Sequence, residues 1–271
     1  MTIKQSQNSP IGVFDSGLGG LTVLKSLEKI LPYESFIYFG DTAHVPYGTK
    51  SAKTVTQYSR YILNFFLKHK TKAVVIACNT ASAIAFRHLK NAYDIPLFDV
   101  VSPSVEYSIN ITKTRKIGVI GTYSTIHSKA YTRMFKKFGS NCKIYEVPCP
   151  LFVPIIEEGW SDSSVAKEVA KIYLQDFFNC NIDTLILGCT HYSIMANTIQ
   201  AVLSDNIRLV YSGDTVGHKL LEFLKNNNCE NSSGLPPAVK YFVSDLPQKF
   251  DELGSGFLGR ELSNVQHISI L

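Results

Sequence analysis

The chain has 271 residues, 45% of them hydrophobic and 11% aromatic, enough for one large or two modest domains and too apolar for a disordered chain. Its formal net charge of +5 is mild and dispersed, reads as solvated lysines, and includes no basic block with interleaved aromatics, which argues against nucleic-acid binding. No apolar run is long enough to span a bilayer, and residues Met1 to Pro10 are polar without an apolar core of their own, so neither a membrane anchor nor a secretory signal is expected and a cytoplasmic location is.

In chain order, Ile11-Gly-Val-Phe14 reads as a first strand, followed by a loop and a helix carrying Leu21, Leu24, Leu27 and Leu31. Phe36 to Phe39 is the next strand. Between Ser51 and His69, the residues Val55, Tyr58, Ile62 and Phe65 share one helical face. Ala73 to Ala77 is a continuous apolar run, the signature of a strand covered on both faces of a parallel sheet. Then the pattern recurs. Ile117-Gly-Val-Ile120 echoes the first strand, Val165, Val169, Ile172 and Tyr173 form another helical face, and Thr184 to Gly188 is a second apolar run. The intervals Ile11 to Cys78 and Ile117 to Cys189 are both about 70 residues, which suggests two related halves.

These periods predict an α/β fold of two similar domains, each a mainly parallel sheet flanked by helices, with the active site in the cleft between them. The first domain is expected over 1–98 and 208–271, and the second over 99–207. The boundary falls near Pro96 to Pro103 and the return near Ile207 to Asp214. Residues 241–244 and a helix from Pro247 are expected to pack back on the first half, and Asn226 to Gly234 reads as a surface loop.

Six cysteines, at 78, 142, 149, 180, 189 and 229, read as reduced thiols rather than a disulfide framework. A single free cysteine is most simply a small buried side chain. Cys78 and Cys189 differ because both follow a buried strand and open a helix, where ligands of open α/β sheets bind and where free N–H groups lower a thiol's pKa. Two acid–base groups across a cleft suit inversion of a stereocentre, by proton removal from one face and delivery to the other. Around them, Asp15 is read either as a partner for a substrate ammonium or for Cys78, or as a helix cap. Tyr47 and Gly48 lie in the polar connection from Gly40, which either covers a site or makes a plain turn. His191 either assists the chemistry or caps a helix. Gly17 and Gly19 do not complete a dinucleotide loop, because Thr22 stands where the third glycine belongs. Cys180, Cys189 and His191 match no zinc spacing, and the other four cysteines read as bystanders.

The segments Val13-Phe-Asp-Ser-Gly-Leu-Gly-Gly20, Tyr38-Phe-Gly-Asp-Thr-Ala43, Pro46-Tyr-Gly48, Ala77-Cys-Asn-Thr-Ala-Ser82 and Leu187-Gly-Cys-Thr-His-Tyr192 together resemble the glutamate racemases of the aspartate/glutamate racemase family. Cys149 to Pro154, Glu157-Glu158-Gly159 and Tyr241 to Asp245 are similar too, so the resemblance runs from Ile11 to Gly259. It implies an isomerase interconverting L- and D-glutamate without pyridoxal phosphate, metal or nucleotide. Its product would feed peptidoglycan synthesis and cell-wall biogenesis, and a homodimer is the usual assembly. Carried over by motif, Cys78 acts on the D-isomer and Cys189 on the L-isomer, assisted by Asp15, His191 and one of two adjacent acids, taken as Glu157. Asp15, Ser16, Tyr47, Gly48, Asn79, Thr80, Thr190 and His191 would line the substrate.

Overall fold

The computed structural model describes residues 7–203, 205–262 and 264–269, so most of the polar N-terminal stretch lies outside the described residues. The first half runs β1 (Ile11–Asp15), α1 (Gly20–Ile30), β2 (Phe36–Gly40), α2 (Ala52–Lys68), β3 (Ala73–Ile76), α3 (Asn79–Ile84), α4 (Phe86–Lys90) and β4 (Leu97–Asp99), and α5 (Val101–Ile111) leads into the second. There follow β5 (Lys116–Gly121), α6 (Tyr123–His127), α7 (Ala130–Lys137), β6 (Lys143–Pro148), α8 (Phe152–Glu157), α9 (Ser164–Leu174), β7 (Thr184–Gly188), α10 (Ala196–Val202) and β8 (Arg208–Tyr211). The chain closes with α11 (Ser212–Asn226), β9 (Val239–Val243), α12 (Pro247–Leu258) and β10 (Val265–His267).

Every described strand pair is parallel. One sheet has the order β10-β9-β2-β1-β3-β4 and the other β6-β5-β7-β8. Counted from its own first strand, each half follows the order 2-1-3-4, so the repeat seen in the apolar runs is a repeat of topology. β1, β3 and β7 are buried along their whole length, as strands covered by crossover helices must be. The helices obey local rules as well. Ser51 caps α2 by accepting from Thr54 N at 3.2 Å, and Ser163 caps α9 by accepting from Ala166 N at 3.1 Å. Along α2, Val55, Ser59, Ile62, Leu63 and Phe66 turn to the core at helical spacing.

The tail does return to the first half: β9 pairs with β2 from Phe36↔Val239 to Gly40↔Val243. The return comes later than position 208, however. Arg208–Tyr211 pairs with β7, from Thr184↔Arg208 to Leu187↔Tyr211, and is the fourth strand of the second sheet. Only four residues long and half-covered, it has neither the length nor the apolar run by which the central strands announce themselves. α11 then carries the chain back and packs along α1, with Ser26 Oγ donating to Asp214 Oδ1 at 2.7 Å.

One buried ion pair ties the floor of the first half together. Lys72 Nζ lies 2.6 Å from Glu34 Oε2, both side chains almost fully buried, and donates to the carbonyls of Gln7 and Cys229 at 2.7 Å each. Asn231 N donates to the other Glu34 oxygen at 2.9 Å. Removing one partner strands the other charge in the interior. Lys72→Met is therefore expected to lower the unfolding free energy by about 3–5 kcal/mol. Denaturant melts measure this, and an unchanged midpoint would show the pair contributes nothing.

Candidate active site

In a 2-1-3-4 sheet the connections leaving the first and third strands diverge, opening a crevice at their carboxyl ends. In the first half those ends carry Asp15 and Cys78, and in the second they carry Thr122 and Cys189. The two crevices face each other at close range. A Cβ on Gly19 would lie 2.2 Å from Thr190 Oγ1 and 2.4 Å from His191 Nδ1, so only glycine lets the β1 loop approach the second half this closely. Thr22 Oγ1 crosses the same seam to the carbonyl of Thr190 at 2.9 Å.

Cys78 is 4% exposed and stands at the N-cap of α3, its Sγ accepting from Ala81 N at 3.5 Å and lying 3.8 Å from Ser16 Oγ. The N-cap position was expected to lower its pKa. Instead burial, with the nearby Asp15 carboxylate, pushes the thiol up to about 12, because one long N–H···S contact is too weak to offset desolvation and a like charge. Asp15 is buried too, and desolvation raises its pKa while His191 across the seam opposes the rise. It does not cap α1. Its Oδ2 accepts from Gly17 N at 3.0 Å, and Oδ1 is buried without a hydrogen-bond partner. Such an acceptor suits an ammonium group.

Cys189 differs from its counterpart in local structure. It opens a short 3₁₀ turn over Thr190–Ser193 rather than an α-helix, so the two thiols are equivalent in topology and unlike in immediate surroundings. Cys189 Sγ lies 3.9 Å from His191 Nδ1, and His191 Nε2 lies 3.0 Å from Glu157 Oε1. Glu157, at the end of α8, therefore holds the histidine, while Glu158 is that helix's C-cap. Burial alone would lower the pKa of His191. The hydrogen bonds to Cys189 and Glu157, with the Cys189 and Asp15 charges, outweigh it and push the value up to about 10. The ring also meets Phe257 of α12 edge-on, at 5.3 Å between centroids. A cation is thus held beside one sulfur.

The other sequence-identified residues gather on the same seam. Asn79 Nδ2 donates to Tyr131 OH at 3.0 Å and to Ser212 Oγ at 3.2 Å, while its Oδ1 is buried and unpartnered. Thr80 Oγ1 lies 3.0 Å from Thr122 Oγ1 and 3.2 Å from Thr125 Oγ1. Gly48 accepts from Ser124 Oγ at 2.6 Å through its carbonyl, and Tyr47 is buried with its hydroxyl on Asp41. Thr122, Thr125, Tyr131 and Ser212 were not singled out from the sequence. The repeat held a signal for the first: Thr122 follows β5 as Ser16 follows β1, ahead of the next helix. Tyr131 and Ser212 had none, since nothing local marks them as meeting Asn79. Among the described residues, no group of three His, Cys, Asp or Glu side chains stands close enough to hold a metal ion, and no helix is long and apolar enough to cross a membrane.

The family model for Asp/Glu/Hydantoin racemase matches residues 11–216. The glutamate racemase of Syntrophus aciditrophicus is 40% identical over 261 residues, covering 96% of this chain and 97% of that protein. Among solved structures, glutamate racemase from Francisella tularensis in complex with D-glutamate superimposes with a TM-score of 0.91 at 40% identity, over 97% of this chain and 98% of that one. A glutamate racemase from Bacillus anthracis gives 0.93 at 32% identity over the same shares. The motifs, the doubled topology and these matches agree: the chain belongs to the Asp/Glu/Hydantoin racemase family of isomerases.

Proposed function

We infer that the chain interconverts L- and D-glutamate by moving the Cα proton, with Cys78 and Cys189 as the two acid–base groups. The observation that carries this reading is a pair of buried thiols at matching strand ends of two sheets of one order, near enough that Cys189 adds to the rise in the Cys78 pKa. Inversion needs one group ready to give a proton and one ready to take it. With its pKa at about 12, Cys78 holds its proton at neutral pH. Cys189 has the cationic His191 at its side. In the L-to-D direction Cys189 removes the proton from one face and Cys78 delivers its own to the other; in reverse, Asp15 takes the proton of Cys78, His191 gives one to Cys189, and the two thiols exchange roles. The negative charge that develops spreads onto the substrate α-carboxylate, where hydroxyls and N–H groups of Ser16, Asn79, Thr80 and Thr190 can stabilise it. Asp15 Oδ1 is the natural acceptor for the substrate ammonium, and Tyr47 and Gly48 close the side of the pocket. The two thiols supply both proton transfers, so the scheme requires no pyridoxal phosphate, metal or nucleotide.

Glutamate is favoured as the substrate because the full-length relatives at about 40% identity are glutamate racemases, one of them crystallised with D-glutamate. The same reading places the protein in the cytoplasm as a homodimer supplying D-glutamate for peptidoglycan. Competing glutamate against aspartate in a circular-dichroism assay tests the choice, and preferential turnover of aspartate would overturn it.

In heavy water, either enantiomer of glutamate is expected to gain deuterium at Cα as product forms. Cys78→Ala and Cys189→Ala should each lower racemisation by at least about 10²-fold. Full activity in either variant would exclude the two-base scheme, and binding without any exchange in the wild type would mark a binding protein instead.

The activity should fall as pH rises past about 10, where His191 loses its proton. Glu157 raises the His191 pKa, so Glu157→Gln should move this alkaline limb of kcat/KM to lower pH. A limb that stays in place would remove Glu157 from the relay.

A further inference from the structure

The connection from β2 to α2 supplies Tyr47 and Gly48, yet it has little backbone structure with which to hold itself. It contains two 3₁₀ turns, Thr42–His44 and Tyr47–Thr49. Its order comes from one fully buried carboxylate. Asp41 Oδ2 accepts from Tyr47 OH at 2.5 Å, and Asp41 Oδ1 accepts from Ser244 Oγ at 2.7 Å and lies 2.8 Å from His44 Nδ1. The backbone N of Asp41 donates to the carbonyl of Asp15 at 3.0 Å, which joins the loop to the strand end bearing the candidate ammonium acceptor.

Ser244 comes from the far end of the chain, just beyond β9. Its hydroxyl also accepts from Ala43 N at 2.9 Å, and the next residue completes the clip: Thr42 Oγ1 donates to the Asp245 carbonyl at 2.5 Å and accepts from Asp245 N at 2.8 Å. β10 steadies the same point, with His267 Nε2 at 3.0 Å from the Ser244 carbonyl. Both Asp41 oxygens are engaged.

We propose that Asp41, clasped by Ser244 just beyond β9, is a positioning residue for the reaction: it fixes the Tyr47–Gly48 segment in its substrate-lining geometry before substrate arrives. This rests on the reading that Tyr47 and Gly48 line a glutamate site. Because the hydroxyl of Tyr47 donates a hydrogen bond to Asp41, the ring is locked in orientation, and Gly48 is held between that ring and Ser124 of the second half. Ordering the loop in advance lowers the cost of binding without entering the proton transfers. The two strands that β9 and β10 add to the first sheet thus serve the site from behind.

The test compares KM and kcat for both enantiomers in wild type, Asp41→Ala, Ser244→Ala, Tyr47→Phe and the Asp41→Ala/Tyr47→Phe double variant, well below each melting temperature. Loss of a charge-assisted hydrogen bond that acts equally on ground and transition states should raise KM about tenfold in Asp41→Ala while kcat changes far less. Ser244→Ala should raise KM by a smaller factor in the same direction, and the double variant should be little worse than Asp41→Ala, since both changes break one linkage. A melting temperature that falls with KM unchanged would overturn the proposal, as would additive effects in the double variant. Failure of the underlying reading is distinguishable, because then the wild type itself would not turn over glutamate.

Discussion

His191 is buried, an environment that ordinarily strips a proton from imidazole, yet its contacts with Cys189, Glu157 and Asp15 hold that proton to about pH 10. The rest of the cleft depends on this charge. It stands beside Cys189, it moderates the desolvation of Asp15 across the seam, and it is framed by Gly19 on one side and Phe257 on another. A buried cation persists only where anions and hydrogen-bond acceptors surround it. The two halves must therefore meet closely enough for Asp15 of one to sense His191 of the other. The Gly19 contact shows how close that is.

The two thiols stand in different surroundings. Desolvation and Asp15 keep Cys78 protonated, whereas Cys189 shares its pocket with a cation. Duplicated topology brings the sulfurs to matching places, and their neighbours are unequal. Around them, Asn79 and Thr80 tie α3 to Tyr131, Ser212, Thr122 and Thr125. These hydrogen bonds close the cleft between the halves.

Much of this was legible in the chain. Continuous apolar runs marked β3 and β7, because strands covered on both faces leave no room for polar side chains. The matching intervals to Cys78 and Cys189 announced the repeat. What escaped was short, half-exposed or distant. β8 had no apolar run, and its membership in the second sheet rests on pairing with β7. The α-helix expected after Cys189 is a 3₁₀ turn, and local composition does not distinguish the two. The direction of the Cys78 shift was misjudged, because a cap position is visible in sequence whereas the burial that outweighs it is not.

The sequence by itself determined the parallel α/β architecture, the twofold repeat and the residue types at the strand ends, since these follow from periodicity and from side-chain chemistry that each segment carries alone. Only the tertiary structure decided which residues share a charge environment: Glu157 rather than Glu158 on His191, Asp15 near both Cys78 and His191, and Ser244 on Asp41 from 203 residues away. Those pairings depend on distance and dielectric, which exist only once the carboxyl ends of the two sheets have been brought face to face.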